Sequence, residues 1–422
     1  MIDQRIQNSK QILSVLAAKI STTLSGVERQ KYFAKLLTRQ PEDVQYKLTQ
    51  AIECLLLSME SMNASDMDFG GTGCNGQVWF RINAHKKPIL EFGSFSVNEM
   101  DLLLLNLLTP MQREEFWENG YLQFSYQIMS MGGGPLRFRA TIYLEMDYIA
   151  LSLRRIGSEV RPFKTLGLNK NIAKLMSMEY QRHGIILITG ISGSGKSSTL
   201  DTIVDANNRH SQGHIVIIAD PLEYIHVSQK CVVRQREVGR DVRSFKEGVD
   251  NALRQDPDII VIGEVRNPKT VSAALEAADT GHKVFATLHT SSAVESIDRI
   301  LGEVTPIEQS RVRDRLATLL TCVISQKLIP TEDGSLVLAK EILAMNPAVC
   351  SAIRNNNIED IYQIIHQSQS EGMLTLEQDL ARLCKKKVIS KSTAMNYANN
   401  RRRLEELFEF GGKANGYPIS LP

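Results

Sequence analysis

Apolar residues over the first sixty positions recur at intervals of three and four. Ile12, Leu13, Leu16, Ile20 and Leu24 form one stripe, and Leu48, Ile52, Leu55 and Met59 form another. That spacing predicts amphipathic helices. A break rich in Gly, Ser, Asp and Asn follows over Asn63–Gly76. Beyond it the period shortens to two. Gln77–Asn83 alternates like a strand and Ile89–Phe95 offers it a neighbour. Leu122–Met129 and Arg137–Leu144 read as two more strands, flanking the turn Gly132-Gly133-Gly134-Pro135. A helix is predicted over Ser96–Glu118, interrupted near Pro110. The pattern therefore divides into a helical extension at 1–60 and a small α+β domain at 61–150.

Arg154–Gly167 carries little apolar periodicity, so 151–168 reads as a linker. From Asn169 short β-branched runs alternate with helical stretches. Strands are predicted at 185–189, 214–219, 258–263 and 283–288. Ser244 with Glu247 forms a capping box that opens a helix ending before Pro257. Pro268 and Gly281 bracket another helix. Helices separating short buried strands imply a parallel sheet with ligand sites at the strands' C-terminal ends. This α/β core spans 169–344. An all-helical region follows at 345–410, and the tail Gly411–Pro422 is expected to be mobile.

Composition changes this picture little. A chain of 422 residues exceeds what one core normally serves. A net charge of +2 makes no overall electrostatic case for nucleic acid or a membrane surface. The six cysteines (54, 74, 231, 322, 350 and 384) are scattered without CxxC spacing, which suits reduced thiols in a reducing compartment. The apolar run Leu102–Leu108 is interrupted by Asn106 and is too short to span a bilayer. The first ten residues carry no signal-peptide core. A cytoplasmic protein is expected, with any membrane association peripheral.

The chemistry concentrates at Gly190-Ile191-Ser192-Gly193-Ser194-Gly195-Lys196-Ser197. The run Gly184–Thr189 precedes it as a buried strand, and Ser198 onward continues as a helix. Strand, glycine loop and helix together form the context of a phosphate-binding loop. Its glycines let backbone N–H groups approach phosphate oxygens, and the helix N-terminus adds partial positive charge. Lys196 is expected to reach the β- and γ-phosphates of ATP, with Ser197 ligating Mg²⁺. Hydrolysis also requires acids. Strand 258–263 ends in Gly263-Glu264, making Glu264 a second Mg²⁺ carboxylate acting through water. Strand 214–219 ends in Asp220-Pro221-Leu222-Glu223, where Glu223 suits a general base and Asp220 its supporting partner. The plain alternative is a turn with an N-capping Asp. His282 and His289 flank strand 283–288. His289, at its C-terminal end, is placed to sense a γ-phosphate or to bridge to a neighbour. Arg234, Arg236, Arg240, Arg243, Arg254 and Arg266 either pair with surface acids or, across a subunit boundary, tie hydrolysis to assembly.

This constellation resembles the secretion ATPase superfamily, in its PilT-like branch. ITGISGSGKSSTL resembles the phosphate loop, ADPLEYIH the Asp box, DPDIIVIGEVRNPKT the Walker B segment and TGHKVFATLHT the His box. RQREVGRDVRSF, VISQKLIP and EGMLTLEQDLARL are also similar, so the resemblance is strong over about 170–390. ASDMDF and LRFRA resemble parts of a PAS-like N-domain, and 1–55 carries no resemblance. The implied fold is a RecA-like P-loop ATPase C-domain behind that PAS-like N-domain. The resemblance implies a hexameric ring binding ATP between the two domains. Within it, Glu223 matches the catalytic glutamate, Glu264 the Walker B acid, and His282 and His289 the His box. Arg137 and Arg139, in LRFRA, match N-domain arginines that approach the phosphates, and Arg154 matches an arginine on the interdomain connection, also counted with the nucleotide-binding residues. One departure concerns the Asp box, where Ala219 replaces the usual Glu. Asp220 and Glu223 remain, so an active ATPase is still expected.

The main functional expectation is a motor, powering type IVB secretion or conjugative transfer, at the cytoplasmic face of an inner membrane and against platform proteins there. The helical segment at 1–60 favours this branch, and the missing four-cysteine zinc motif disfavours the pilus-assembly and type II secretion ATPases. Pilus retraction is the alternative. A nucleic-acid-stimulated ATPase is a reading of another class. The aromatic content of 6% argues against it, as do the basic runs Lys385–Lys387 and Arg401–Arg403, which read as solvated helix faces. A nucleotide-gated scaffold without turnover is a third, motivated by Ala219.

Overall fold

The structure is a computed structural model that describes residues 4–20, 23–82, 85–156 and 160–410. The expected mobile tail at 411–422 lies outside the described residues. The chain divides into two compact units, Met1–Ser158 and Glu159–Pro422.

The first unit is a six-stranded antiparallel sheet with helices packed on it. Its strands are β1 (Asp66–Gly70), β2 (Trp79–Ile82), β3 (His85–Pro88), β4 (Tyr121–Met129), β5 (Pro135–Glu145) and β6 (Tyr148–Ile156), in the order β3-β2-β1-β6-β5-β4. Three differences from the sequence expectation stand out. Ile89–Phe95 is not a strand. It forms a 3-10 turn at Leu90–Phe92 closed by Gly93 at φ +65°, and Ile89, Phe92 and Phe95 turn inward from it. The expected linker begins inside β6, which is a central strand: β1 and β5 pair on its two sides. Its charged end, Arg154-Arg155, obscures the alternation, because Arg154 lies over Asp66 of the neighbouring strand at 2.8 Å. Finally, the N-terminal helices are no appendage to the sheet.

Those helices span Gln4–Ala17, Gly26–Thr38 and Glu42–Ser61. The first ends short of Ile20 and Leu24. Leu13, Phe33, Leu37, Leu48 and Leu55 belong to the same buried core as Met67, Phe69 and Phe138 of the sheet. An ion pair is buried with them. Arg29 donates to Asp101 at 2.7 Å, and Asp101 also accepts from the Ile149 amide at 2.8 Å. Breaking such a pair strands a charge in the core, so it fixes the register of helix and sheet. The long predicted helix is two helices, Val97–Leu107 and Pro110–Asn119, each opened by a reciprocal capping box.

The second unit is a doubly wound α/β sheet. Its strands are β7 (Gly184–Thr189), β8 (Gly213–Ala219), β9 (Cys231–Glu237), β10 (Ile259–Ile262), β11 (Lys283–Leu288), β12 (Leu320–Pro330) and β13 (Leu336–Ala344). The order is β13-β12-β7-β11-β10-β8-β9, parallel except for the edge strand β13. Every residue of β7, β10 and β11 is buried, as strands covered by helices on both faces require. Five short helices follow β13, from Pro347–Arg354 to Arg401–Phe410. The small α+β unit followed by a doubly wound, mostly parallel α/β unit agrees with the fold read from the sequence. The strands β9, β12 and β13 were not legible there.

Candidate functional site

Four strand ends of the second unit share one edge of its sheet. In sheet order they are the glycine loop after β7, His289 after β11, Glu264 after β10 and Asp220 after β8. Parallel pairing sets this directly, because Ile262 is level with both Ala286 and Ile218, and Ala286 is level with Leu187.

The loop bends through three glycines whose φ angles lie beyond ordinary reach, Gly190 (+152°), Gly193 (+79°) and Gly195 (+85°). Gly190 is packed hardest: a Cβ there would fall 2.3 Å from Ser194 Oγ and 2.5 Å from the Gln326 carbonyl oxygen. Gln326 of β12 is buried, and its amide donates to the Ser194 carbonyl at 2.8 Å, holding the loop from behind. Sequence reasoning missed this residue, although VISQKLIP had marked the segment. The helix Lys196–His210 starts at Gly195, so Lys196 and Ser197 occupy its first turn. Lys196 donates to the carbonyls of Gly190 at 2.7 Å and Ile191 at 3.1 Å. Burial lowers its pKa, and the nearby charges of Glu264 and Glu223 act against that. Both predicted acids therefore lie within electrostatic reach of the loop lysine. Ser192, Gly193 and Ser198 are exposed on the loop's outer side, and Ser194 is buried with an unpartnered Oγ.

Glu264 sits between two partners, accepting from Arg266 at 2.6 Å and facing His289 Nε2 at 3.3 Å. The Arg266 pKa rises chiefly through its hydrogen bond to Glu264, with Asp220 contributing at longer range. Behind Glu223 is a layer the sequence did not disclose. His226 Nε2 lies 3.1 Å from Asp201 of the loop's own helix. Gln235 exchanges two hydrogen bonds with the His226 backbone, at 3.1 and 3.0 Å. Glu237, buried on β9, accepts from the Leu222 amide at 3.4 Å. Burial raises the Asp201 pKa against the pull of His226, and Glu223 adds to the rise. Only the terminal His of ADPLEYIH hinted at this pair.

His282 is set apart from these residues within the unit. It stands at the opposite, N-terminal edge of β11, where its Nδ1 lies 3.0 Å from Thr280 Oγ1 and from the Ala277 carbonyl. The six residues of β11 separate it from His289, about 20 Å at strand rise. It caps a helix end and is not brought to the glycine loop of its own chain. Next to it, Lys283 is wholly buried and donates to the Leu175 and Gln181 carbonyls at 2.6 and 2.7 Å. Arg137, Arg139 and Arg154 lie on β5 and β6 of the first unit, where Arg139 and Arg154 are level in register.

A triphosphate fits the loop's chemistry. Left-handed glycines present amides outward, nothing lies within 4 Å of a Cβ built on Gly193, and a cation waits at the helix N-terminus. No group of three or more metal-ligating side chains occurs among the described residues. No helix among them is long and apolar enough to cross a membrane. All six cysteines are free.

The chain was compared with known proteins. The family described as Type II/IV secretion system protein matches residues 42–408. The "Type IV pilus retractation ATPase PilT" of Pseudomonas aeruginosa is 38% identical over 300 residues, 71% of this chain and 85% of its own. A twitching motility protein of Neisseria gonorrhoeae is 36% identical over 346 residues, 82% of this chain and 90% of its own. Among solved structures, the pilus retraction motor PilT with bound ADP aligns with a TM-score of 0.76 at 34% identity, covering 83% of this chain and 98% of the other. The Legionella pneumophila ATPase DotB aligns with a TM-score of 0.66 at 25% identity, covering 85% and 96%.

Proposed function

Because the chain belongs to the type II/IV secretion system protein family and is an ATPase, we propose that it is a retraction-type motor of a type IV pilus machine. The observation that carries this reading is the 38% and 36% identity, over most of the chain, to a pilus-retraction ATPase and a twitching motility protein. The type IVB secretion or conjugation reading has less behind it, namely the likeness to DotB at 25% identity.

In this reading the glycine loop holds the phosphates of ATP through its amides. Lys196 leaves the Gly190 and Ile191 carbonyls and pairs with β- and γ-phosphate oxygens. The Ser197 hydroxyl, and Glu264 through water, would hold Mg²⁺, which supplies positive charge beside the terminal phosphate. Glu223 accepts the proton of the attacking water, a role worth roughly 10²–10⁴-fold in rate. Asp220 orients that water, and His289, steadied by Glu264, reads the γ-phosphate end. Arg137, Arg139 and Arg154 approach the phosphates from the N-domain. Six copies form a ring, and hydrolysis drives its conformational cycle. The ring acts on platform proteins at the cytoplasmic face of the inner membrane.

Phosphate release by the purified chain tests the chemistry: Glu223→Gln is expected to abolish turnover while nucleotide still binds. Light scattering with ATP is expected to give a hexamer, and single-stranded DNA is expected not to stimulate turnover. Deletion in the encoding organism is expected to leave pili assembled but unable to retract. Normal retraction with lost protein or DNA transfer would select the secretion reading instead.

A further inference from the structure

The first unit carries a groove whose lining includes none of the candidate nucleotide-site residues. Two helices form its walls with matching stripes. Gly26–Thr38 presents Lys31, Ala34, Lys35 and Thr38, and Pro110–Asn119 presents Pro110, Arg113, Glu114 and Trp117. Both sets follow the i, i+3, i+4, i+7 spacing of a single helix face. Arg39 closes one end, and the cleft between the walls has a volume of about 420 Å³.

The floor is apolar, built from Ala34, Pro110 and the Trp117 ring. That ring is fixed, since its Nε1 donates to Gln30 at 3.2 Å and Lys31 lies over it at 5.4 Å. The rim is basic. Lys31, Lys35, Arg39 and Arg113 face one carboxylate, Glu114, and no ion pair joins any of the four cations to an acid among the described residues. The helix dipole accounts for Lys35 and Arg39, which stand at a C-terminal end. It opposes Arg113, which stands in the opening turns of its helix. Arg113 is half-buried, with Nε anchored on the Leu105 carbonyl at 2.9 Å and its terminal nitrogens left to the groove. The Leu105 carbonyl belongs to the last turn of Val97–Leu107, whose dipole favours a cation, so Arg113 is held in place with its terminal nitrogens turned to the groove, where an anion can meet them.

We infer that this groove docks an acidic peptide segment of a partner protein, whose carboxylates meet Lys35, Arg39 and Arg113 and whose aromatic or aliphatic side chain lies on Trp117. A peptide fits better than a phosphate ligand. The amides opening helix Pro110–Asn119 are already engaged by the reciprocal Thr109–Gln112 cap, so no backbone cradle for phosphate remains. What the groove offers is side-chain cations spread along two turns, about 10 Å, on an open apolar strip. Arginine pairs carboxylates in bidentate geometry. The wall Gly26–Thr38 also lies ahead of residue 42, where the family match begins, so the site is built partly from sequence the family match does not cover.

The test uses the full chain and a fluorescein-labelled peptide, Glu-Asp-Phe-Glu-Glu-Leu-Phe-Asp, followed by anisotropy. Saturable binding that weakens with salt is expected, and the peptide with lysine in place of every acid is expected not to bind. The double variant Lys35→Glu/Arg39→Glu changes exposed side chains and is expected to weaken binding at least about tenfold, with phosphate release unchanged. Trp117→Leu is expected to weaken it without altering the salt dependence. Equal binding by the double variant, or none by the parent chain, overturns the inference. Displacement of the peptide by inorganic phosphate at matched ionic strength would also overturn it, by showing a simple anion site. Binding to phosphatidylglycerol vesicles that the double variant loses, with no peptide binding, would reassign the groove to a lipid surface.

Discussion

His226 Nε2 and Asp201 Oδ1 lie 3.1 Å apart, and that contact ties the loop carrying Glu223 to the helix that begins at Lys196. Asn208 of the same helix adds two bonds, to the Val227 carbonyl at 2.8 Å and from the Gln229 amide at 2.9 Å. The candidate base and the phosphate loop are thus held as one body. His226→Ala is expected to lower kcat by roughly 10–100-fold with little change in KM, since misplacing a reacting group by an ångström has that effect. His226→Gln keeps a donor near the Nε2 position and is expected to recover most of the loss. Steady-state phosphate release decides it, and an unchanged kcat in His226→Ala would refute the positioning role.

Gly190 cannot carry a side chain. A Cβ would collide with Ser194 Oγ and the Gln326 carbonyl, so Gly190→Ala must shift the loop backbone. Nucleotide affinity is expected to fall at least about tenfold, read by displacement of a fluorescent ATP analogue. Gln326→Ala loses the Ser194 carbonyl's donor and is expected to have the smaller effect.

Glu341 of β13 is buried and accepts from the Ala293 amide at 2.7 Å, which anchors the helix following the His289 loop. Burial, aided by the Glu377 charge, pushes its carboxyl up to about 7. A folded-state pKa above the unfolded value gives stability that is full below about 4.5 and lost as pH rises through about 7. The unfolding free energy from urea titrations is therefore expected to fall between those limits by an amount on the order of 3 kcal/mol. Glu341→Gln, which keeps an acceptor and cannot ionise, is expected to flatten that slope. A parallel slope in the variant would show that another group is responsible.

Lys283 satisfies the Leu175 carbonyl in the last turn of the helix Lys170–Met176 and the Gln181 carbonyl beyond it, and burial brings its pKa down to about 7. Lys283→Met is expected to cost about 1–3 kcal/mol, because the carbonyls stay buried without a donor. Thermal unfolding measures it, and an unchanged midpoint would contradict the account.

Much of the candidate site was legible because it is local. Gly190 to Ser197 encode their own backbone path, and Glu264 follows four buried β-branched residues that announce a strand end. Asp220 and Glu223 follow β8 in the same way. The supporting layer was not legible. Gln326 lies more than a hundred residues from the loop it braces, and His226 and Asp201 come from segments with unrelated periodicity. In the first unit, paired arginines at the end of β6 disguised a central strand as a linker, since their partner Asp66 lies 88 residues away.

By itself the sequence determined the phosphate loop, the acids at the strand tips, the alternation of strand and helix, and the family. Spacing within a few residues dictates backbone conformation, and conformation dictates such motifs. Only the tertiary structure decided which strands neighbour each other, that the N-terminal helices share the sheet's core, that Gln326 and His226 brace the site from behind, and that four cations line one groove. Those outcomes depend on contacts between segments far apart in the chain, whose energies come from burial and pairing that no local pattern records.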